Sequence, residues 1–161
     1  MSRPVAAGWI EANGAALRYE LAGHGRRTLV LVHEMGGSLE SWDFVLPALV
    51  ERWRLLRYDT RGAGLSEKIR GTVDIDTMTD DLGALLDGLG IVEPVALVGC
   101  AVGSAIALHF AARHPERAAA VIAMAPATGI APERRAATLA YAERIEAEGV
   151  RATADEGLMG S

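Results

Sequence analysis

The 161-residue chain predicts an α/β fold: a doubly wound, mostly parallel sheet opened by an antiparallel hairpin. Three observations carry this. Short apolar runs that do not alternate, such as Thr28-Leu29-Val30-Leu31-Val32, fit strands buried on both faces. Helix-length segments separate the runs, so successive strands are joined by right-handed crossovers. Near the start, Asn13-Gly14 divides two short apolar segments, the strongest local hairpin signal.

The hairpin arms are residues 9–12 and 16–21, because both central residues of a two-residue turn need positive φ. Strands follow at 28–33, 54–59, 95–99 and 118–124; Leu55-Leu56-Arg57-Tyr58 is the weakest of them. Helices are expected at about 41–52, 76–89 and 101–113. In the second, Met78, Leu82, Leu85, Leu86 and Leu89 recur at helical spacing, Asp76 caps the first turn and Gly90 stops the last. Beyond Gly129 the composition turns to Ala, Glu and Arg. Residues 133–149 read as a long polar helix with Leu139, Tyr141, Ala142 and Ile145 on one side. The expected organisation is a core at 1–130 and the start of a helical cap at 131–161, which stops mid-pattern at Leu158-Met159-Gly160-Ser161.

Composition narrows the class. With 50% apolar and 23% charged residues, a globular domain is the default. A net charge of -5 weighs against nucleic acid and anionic membranes as partners. No apolar stretch reaches the roughly 20 residues of a membrane span, and Glu11 comes too early for a signal peptide. The lone Cys100 excludes an internal disulfide framework and a Cys-rich zinc site. The expected location is cytoplasmic.

Three segments carry candidate chemistry. His33-Glu34-Met35-Gly36-Gly37-Ser38 follows the strand 28–33. Asp59-Thr60-Arg61-Gly62-Ala63-Gly64-Leu65-Ser66 follows 54–59; it is neither a Walker A loop nor a Gly-x-Gly-x-x-Gly that opens a helix. Val95-Ala96-Leu97-Val98-Gly99-Cys100-Ala101-Val102-Gly103-Ser104 reads as strand, tight turn, helix. In motif, order and spacing these segments resemble the α/β-hydrolase fold superfamily, especially its small esterase and enol-lactonase-like members, over residues 6 to about 130.

The resemblance implies roles. The His33 segment is similar to the family's His-Gly-x loop, with Glu34 where Gly is usual, and makes the Met35 N–H an oxyanion donor. His33 itself then shapes the loop, and the Asp59 turn is structural. The third segment resembles the nucleophile elbow Gly-x-Ser-x-Gly. Gly99 and Gly103 match its glycines, Ala101 takes the nucleophile position, and the Val102 N–H at a helix N-terminus is the second oxyanion donor.

Alanine supplies no nucleophile, and three explanations stand open. Ala101 is a substituted serine of the kind used to trap a substrate; or the protein naturally lacks the serine; or Cys100 attacks from a distorted elbow, its thiolate favoured by the helix N-terminus. Centring the motif on Cys100 puts Val98 and Val102 where glycines belong, and its plainer reading is a small buried residue.

The family's acid and histidine follow the elbow in chain order. His109 lies eight residues past Ala101, about 12 Å along a helix, and no carboxylate occurs between 124 and Glu133. His24 and His33 precede the elbow. The family has eight strands and six are legible here, so 118–124 is expected to be a bare apolar edge. The resemblance therefore implies an N-terminal part of a hydrolase that cleaves small carboxylic esters or lactones by acyl transfer. No metal or organic cofactor is implied. The His–Asp pair is expected beyond residue 161, and the remaining half of the fold in a second chain or a homo-oligomer contact. A hydrolase-fold binding or scaffold protein without catalysis is the competing expectation.

Overall fold

The computed structural model describes residues 6–69, 71–127 and 129–149. Asn13 and Gly14 adopt φ of 50° and 72°, the two positive values the hairpin turn requires. Strand β1 (Ala6–Ala12) therefore returns as β2 (Ala15–Ala22), with Ala12 opposite Ala15. The hairpin continues into a six-stranded sheet of order β1-β2-β4-β3-β5-β6. Strands β3 (Thr28–Val32), β4 (Arg54–Tyr58), β5 (Val95–Cys100) and β6 (Ala118–Met124) run parallel, and β2 meets β4 antiparallel.

The non-alternating runs divide between two cores, one on each face. Val30 and Val32 of β3, with Val95 and Leu97 of β5, pack against Leu82, Leu85, Leu86, Ile106 and Phe110. Those residues come from helices α2 (Ile75–Gly88) and α3 (Val102–Arg113). Leu29 and Leu31 turn the other way, onto Trp42, Leu46 and Leu55. Arg57 is tolerated inside β4 because Glu20 stands directly opposite it on β2. Its guanidinium reaches Glu20 Oε2 at 2.6 Å, the Leu39 carbonyl at 2.9 Å and the Asp43 carboxylate.

Two expectations are corrected. The helix at 41–52 is instead a 3-10 turn, Leu39–Trp42, and a single-turn helix α1, Leu46–Leu49. Pro47 has no N–H and so fits a first turn rather than a helix interior. The cap of α2 is Asp74, not Asp76: Asp74 is extended and its carboxylate accepts the Thr77 N–H at 2.8 Å. Asp76 lies inside the first turn and pairs with His109 and Arg113.

Strand β6 forms the outer edge. Val121 packs on the α3 side, while Ile122 (59% exposed) and Met124 (39%) lie open on the other. The compact unit holding the sheet is Met1–Ala127; Thr128–Ser161 forms a second unit. In that second unit, helix α4 (Pro132–Glu148) buries none of its side chains. Leu158-Met159-Gly160-Ser161 lies outside the described residues.

Candidate active site

The turn from β5 into α3 is strained. Ala101 adopts φ 49°, ψ -111°, a region costly for any residue with a Cβ. The flanking glycines explain how the turn closes. A Cβ on Gly99 would lie 2.3 Å from the Gly103 carbonyl oxygen, and one on Gly103 would lie 2.2 Å from that of Val32. Helix α3 thus rests directly on the backbone of β3 and β5. Ser104 locks the contact from within: its buried hydroxyl sits 2.7 Å from the Gly99 carbonyl and 2.8 Å from that of Met124. The Ala101 N–H also donates to Met124 O, at 2.9 Å.

The loop after β3 faces this turn. The Gly37 N–H closes a turn onto the Glu34 carbonyl at 3.1 Å, with Gly36 at φ 79°. Glu34, standing where the family has glycine, accepts a hydrogen bond from the Ser41 hydroxyl at 2.9 Å. Neither the Met35 nor the Val102 N–H has a hydrogen-bond partner among the described residues.

His33 is 1% exposed and fully engaged. Its Nε2 accepts the Thr60 N–H at 3.0 Å, so its hydrogen sits on Nδ1, which donates to the Glu34 carbonyl at 2.7 Å. The ring ties the end of β3 to the Asp59 turn and holds no proton free for chemistry. Within that turn the buried Asp59 accepts the N–H groups of Leu39 and Leu65 at 2.7 and 2.8 Å. Arg61 is spent in a fork onto Asp81, at 2.6 and 2.8 Å.

A cleft of about 390 Å³ opens where the three loops meet, and Met35, Ile69, Met78 and Val102 supply its apolar walls. That volume suits a small organic ligand. Met35 and Val102 are thus brought to one cleft. Ala101 directly precedes Val102 but is not among the lining residues, nor is Cys100. Cys100 is half-buried rather than buried as expected, and lies with Ala96 and Val98 against the second core. Ile69 and Met78 were missed as site residues: Met78 reads in sequence as part of an apolar helix stripe, and Ile69 carries no motif.

The other histidines stand elsewhere. His109 pairs with Asp76 at 2.8 Å, two turns along α3, and His114 packs its ring on Phe110. No cluster of groups able to hold a metal ion occurs among the described residues, and no described helix is long and apolar enough to cross a membrane.

Comparison with known proteins shows the family of the fold. Residues 27–153 match the model of the alpha/beta hydrolase fold family. Over 118 residues the chain is 39% identical to the dihydrolipoyllysine-residue acetyltransferase component of the acetoin cleaving system of Pseudomonas putida, covering 73% of this chain and 32% of that protein. Over 95 residues it is 36% identical to a putative carbamate hydrolase, RutD, of Caulobacter segnis, covering 58% and 35%. Among solved structures, the enol-lactonase of Burkholderia xenovorans superposes with TM-score 0.85 at 31% identity, covering 92% of this chain and 57% of that one. A thermophilic esterase of Thermogutta terrifontis gives 0.84 at 28% identity, covering 94% and 57%. The chain spans about a third of those curated relatives and 57% of the two solved structures.

Proposed function

Because the chain belongs to the α/β-hydrolase fold family, we propose that it carries the nucleophile and oxyanion half of a site that hydrolyses small carboxylic esters or lactones. The observation that carries the reading is the elbow. Ala101 is held at positive φ between two glycines that admit no Cβ, and such strain, of about 1–3 kcal/mol, persists where geometry serves a task. A serine at 101 would attack the substrate carbonyl. Two unpartnered N–H groups, of Met35 and Val102, would receive the negative charge as it develops on oxygen. The base that takes the serine proton lies outside the described residues. The apolar cleft and the neutralised Arg61 favour an uncharged acyl group. Enol-lactonase and esterase neighbours support the ester or lactone class. Cys100 is assigned to packing, and residues 131–161 to the start of a cap.

One observation favours a second reading, a binding or scaffold protein: the side chain at the apex is a methyl group. Single-turnover acylation separates the two. Ala101→Cys in a Cys100→Ala background is mixed with p-nitrophenyl acetate and followed by intact mass. A working oxyanion hole should acetylate position 101 at least about tenfold faster than a free thiol, since each donor is worth about 10²–10³ in rate. Acetylation no faster than a free thiol supports the scaffold reading. Rapid acetylation of Cys100 in the parent chain would show the nucleophile assignment to be wrong.

A further inference from the structure

At the opposite end of the sheet lies a second pocket of about 460 Å³, lined by Arg26, Arg27, Arg52 and Trp53. We propose that it is an anion site for a small ligand combining a diphosphate with a planar ring, of which a nucleoside diphosphate is the simplest example.

Its position follows from the topology. Arg26 and Arg27 immediately precede β3, and Arg52 and Trp53 immediately precede β4. The two strands are parallel, so both approaches fall at one end, while the His33 and Asp59 loops leave from the other. Five residues of strand at roughly 3.3 Å each put about 16 Å between the two ends. A ligand here does not share the cleft.

The backbone beneath the arginines is fixed. A Cβ on Gly23 would lie 2.2 Å from the Trp53 carbonyl oxygen, and one on Gly25 would lie 2.4 Å from that of Arg52. The Arg54 N–H donates to the Arg27 carbonyl at 3.1 Å. The two arginine-bearing segments are therefore clamped together before any ligand arrives.

Charge is the second, independent argument. Arg18, Arg54, Arg57, Arg61, Arg113 and Arg117 each pair with a carboxylate. Arg26, Arg27 and Arg52 pair with none among the described residues, as do Arg134 and Arg135 of α4; what sets the first three apart is that they line one pocket, in a chain whose net charge is -5. Glu51 is the nearest acid in sequence, and it forms no ion pair with them. Three exposed guanidiniums sharing one pocket repel each other when it is empty and are relieved by an anion. Their planar forks match phosphate oxygens. One carboxylate could not balance three of them; a diphosphate can. Half-buried Trp53 provides an apolar wall against which a ring can stack.

The test uses the full 161-residue chain at low ionic strength, titrated by calorimetry with ADP, inorganic pyrophosphate and adenosine. ADP should bind saturably, pyrophosphate about tenfold more weakly for want of stacking, and adenosine undetectably. Arg26→Gln with Arg52→Gln, both exposed positions, should weaken ADP by about tenfold or more, the worth of a charge-assisted hydrogen bond. Added salt should weaken it further. Trp53→Leu should abolish the preference for ADP over pyrophosphate; that preference is measured on the parent chain, so it stands even if this variant misfolds. No saturable ADP binding at millimolar concentration overturns the site. So does unchanged affinity in the double arginine variant. Equal affinity for pyrophosphate and ADP overturns the ring-bearing ligand.

Discussion

Replacing Gly103 by alanine tests the elbow more sharply than any change at its apex. The new Cβ would stand 2.2 Å from the Val32 carbonyl oxygen and 2.5 Å from that of His33, where ordinary contact begins at 3.4 Å. Both obstacles are backbone, so neither can swing aside, and α3 must retreat by about 1.2 Å (3.4 minus 2.2). That retreat opens the contacts of Ile106, Ala107 and Phe110, all fully buried. Overpacking costs about 1–3 kcal/mol, and rigid backbone puts this case at the upper end. For a domain of this size, about 3 kcal/mol lowers Tm by roughly 6–12 °C. The assay is thermal unfolding of Gly103→Ala beside Gly8→Ala, where a Cβ meets nothing within 4 Å. The control should stay within about 0.5 kcal/mol of the parent, as surface changes do. If Gly103→Ala melts within about 2 °C of the parent, well short of the shift such overpacking implies, the helix does not rest on β3. The register that centres the elbow on Ala101 would then lose its physical basis, and one centred on Cys100 would return.

Three further predictions follow from named contacts. Ser104→Ala leaves the Gly99 and Met124 carbonyls without their shared hydroxyl and should cost about 1–3 kcal/mol in urea unfolding; a loss under about 0.3 kcal/mol would argue against the bond. Glu40 has its carboxyl held at about 2: burial opposes ionisation, but the Ser38 hydroxyl and Arg18 outweigh it. Its contribution is therefore complete above its unfolded value of 4.5 and lost as pH falls toward 2. Because Glu40 is 47% exposed the effect is at most about 1 kcal/mol, and the Tm difference between parent and Glu40→Gln should vanish by about pH 2 and persist at about pH 6. Finally, the chain as it stands should show at most the residual rate of roughly 10³–10⁴ over water that binding and oxyanion contacts leave when assayed on an activated ester. Turnover within tenfold of an ordinary esterase, abolished by alkylating Cys100, would reverse the assignment of that thiol.

How much was legible depended on whether a feature is local. The hairpin was, because Asn13-Gly14 fixes its own turn chemistry. The buried parallel strands were, because Leu29 to Val32 must be apolar on both faces when helices cover both. The 3-10 turn at Leu39–Trp42 was not: Trp42 and Leu46 are spaced like helix neighbours, and only Pro47 hinted at a break. The cap at Asp74 was missed for a similar reason, since Asp74 and Asp76 both precede the apolar stripe and only backbone conformation separates them. Arg57 read as a weakness in its strand; in the fold it is the centre of an ion-pair cluster whose partners are Glu20 of β2 and Asp43, just after the 3-10 turn. The tight turn from β5 into α3 was legible through its glycines, yet the cleft walls at Ile69 and Met78 were not, because a wall is made by distant residues that share no motif.

The strained apex joins these observations. An alanine at φ 49°, ψ -111° gains nothing locally from that conformation, and glycine would adopt it at lower cost. The surroundings impose it: the Ala101 N–H is held by Met124, its carbonyl accepts from Ser104 and Ala127, and the flanking glycines press α3 onto β3. Every one of these contacts is independent of the side chain at 101. The backbone frame at 101 is thus complete whatever side chain stands there, and a hydroxyl or thiol at 101 would inherit the strained conformation. Ala101→Gly separates frame from strain. If the surroundings dictate the conformation, this substitution should raise stability by up to about 1 kcal/mol, the lower end of the strain relieved, and leave α3 in place. A loss of more than about 1 kcal/mol would mean that the methyl group packs against something the elbow needs, and that the apex has been rebuilt around alanine for a purpose other than catalysis.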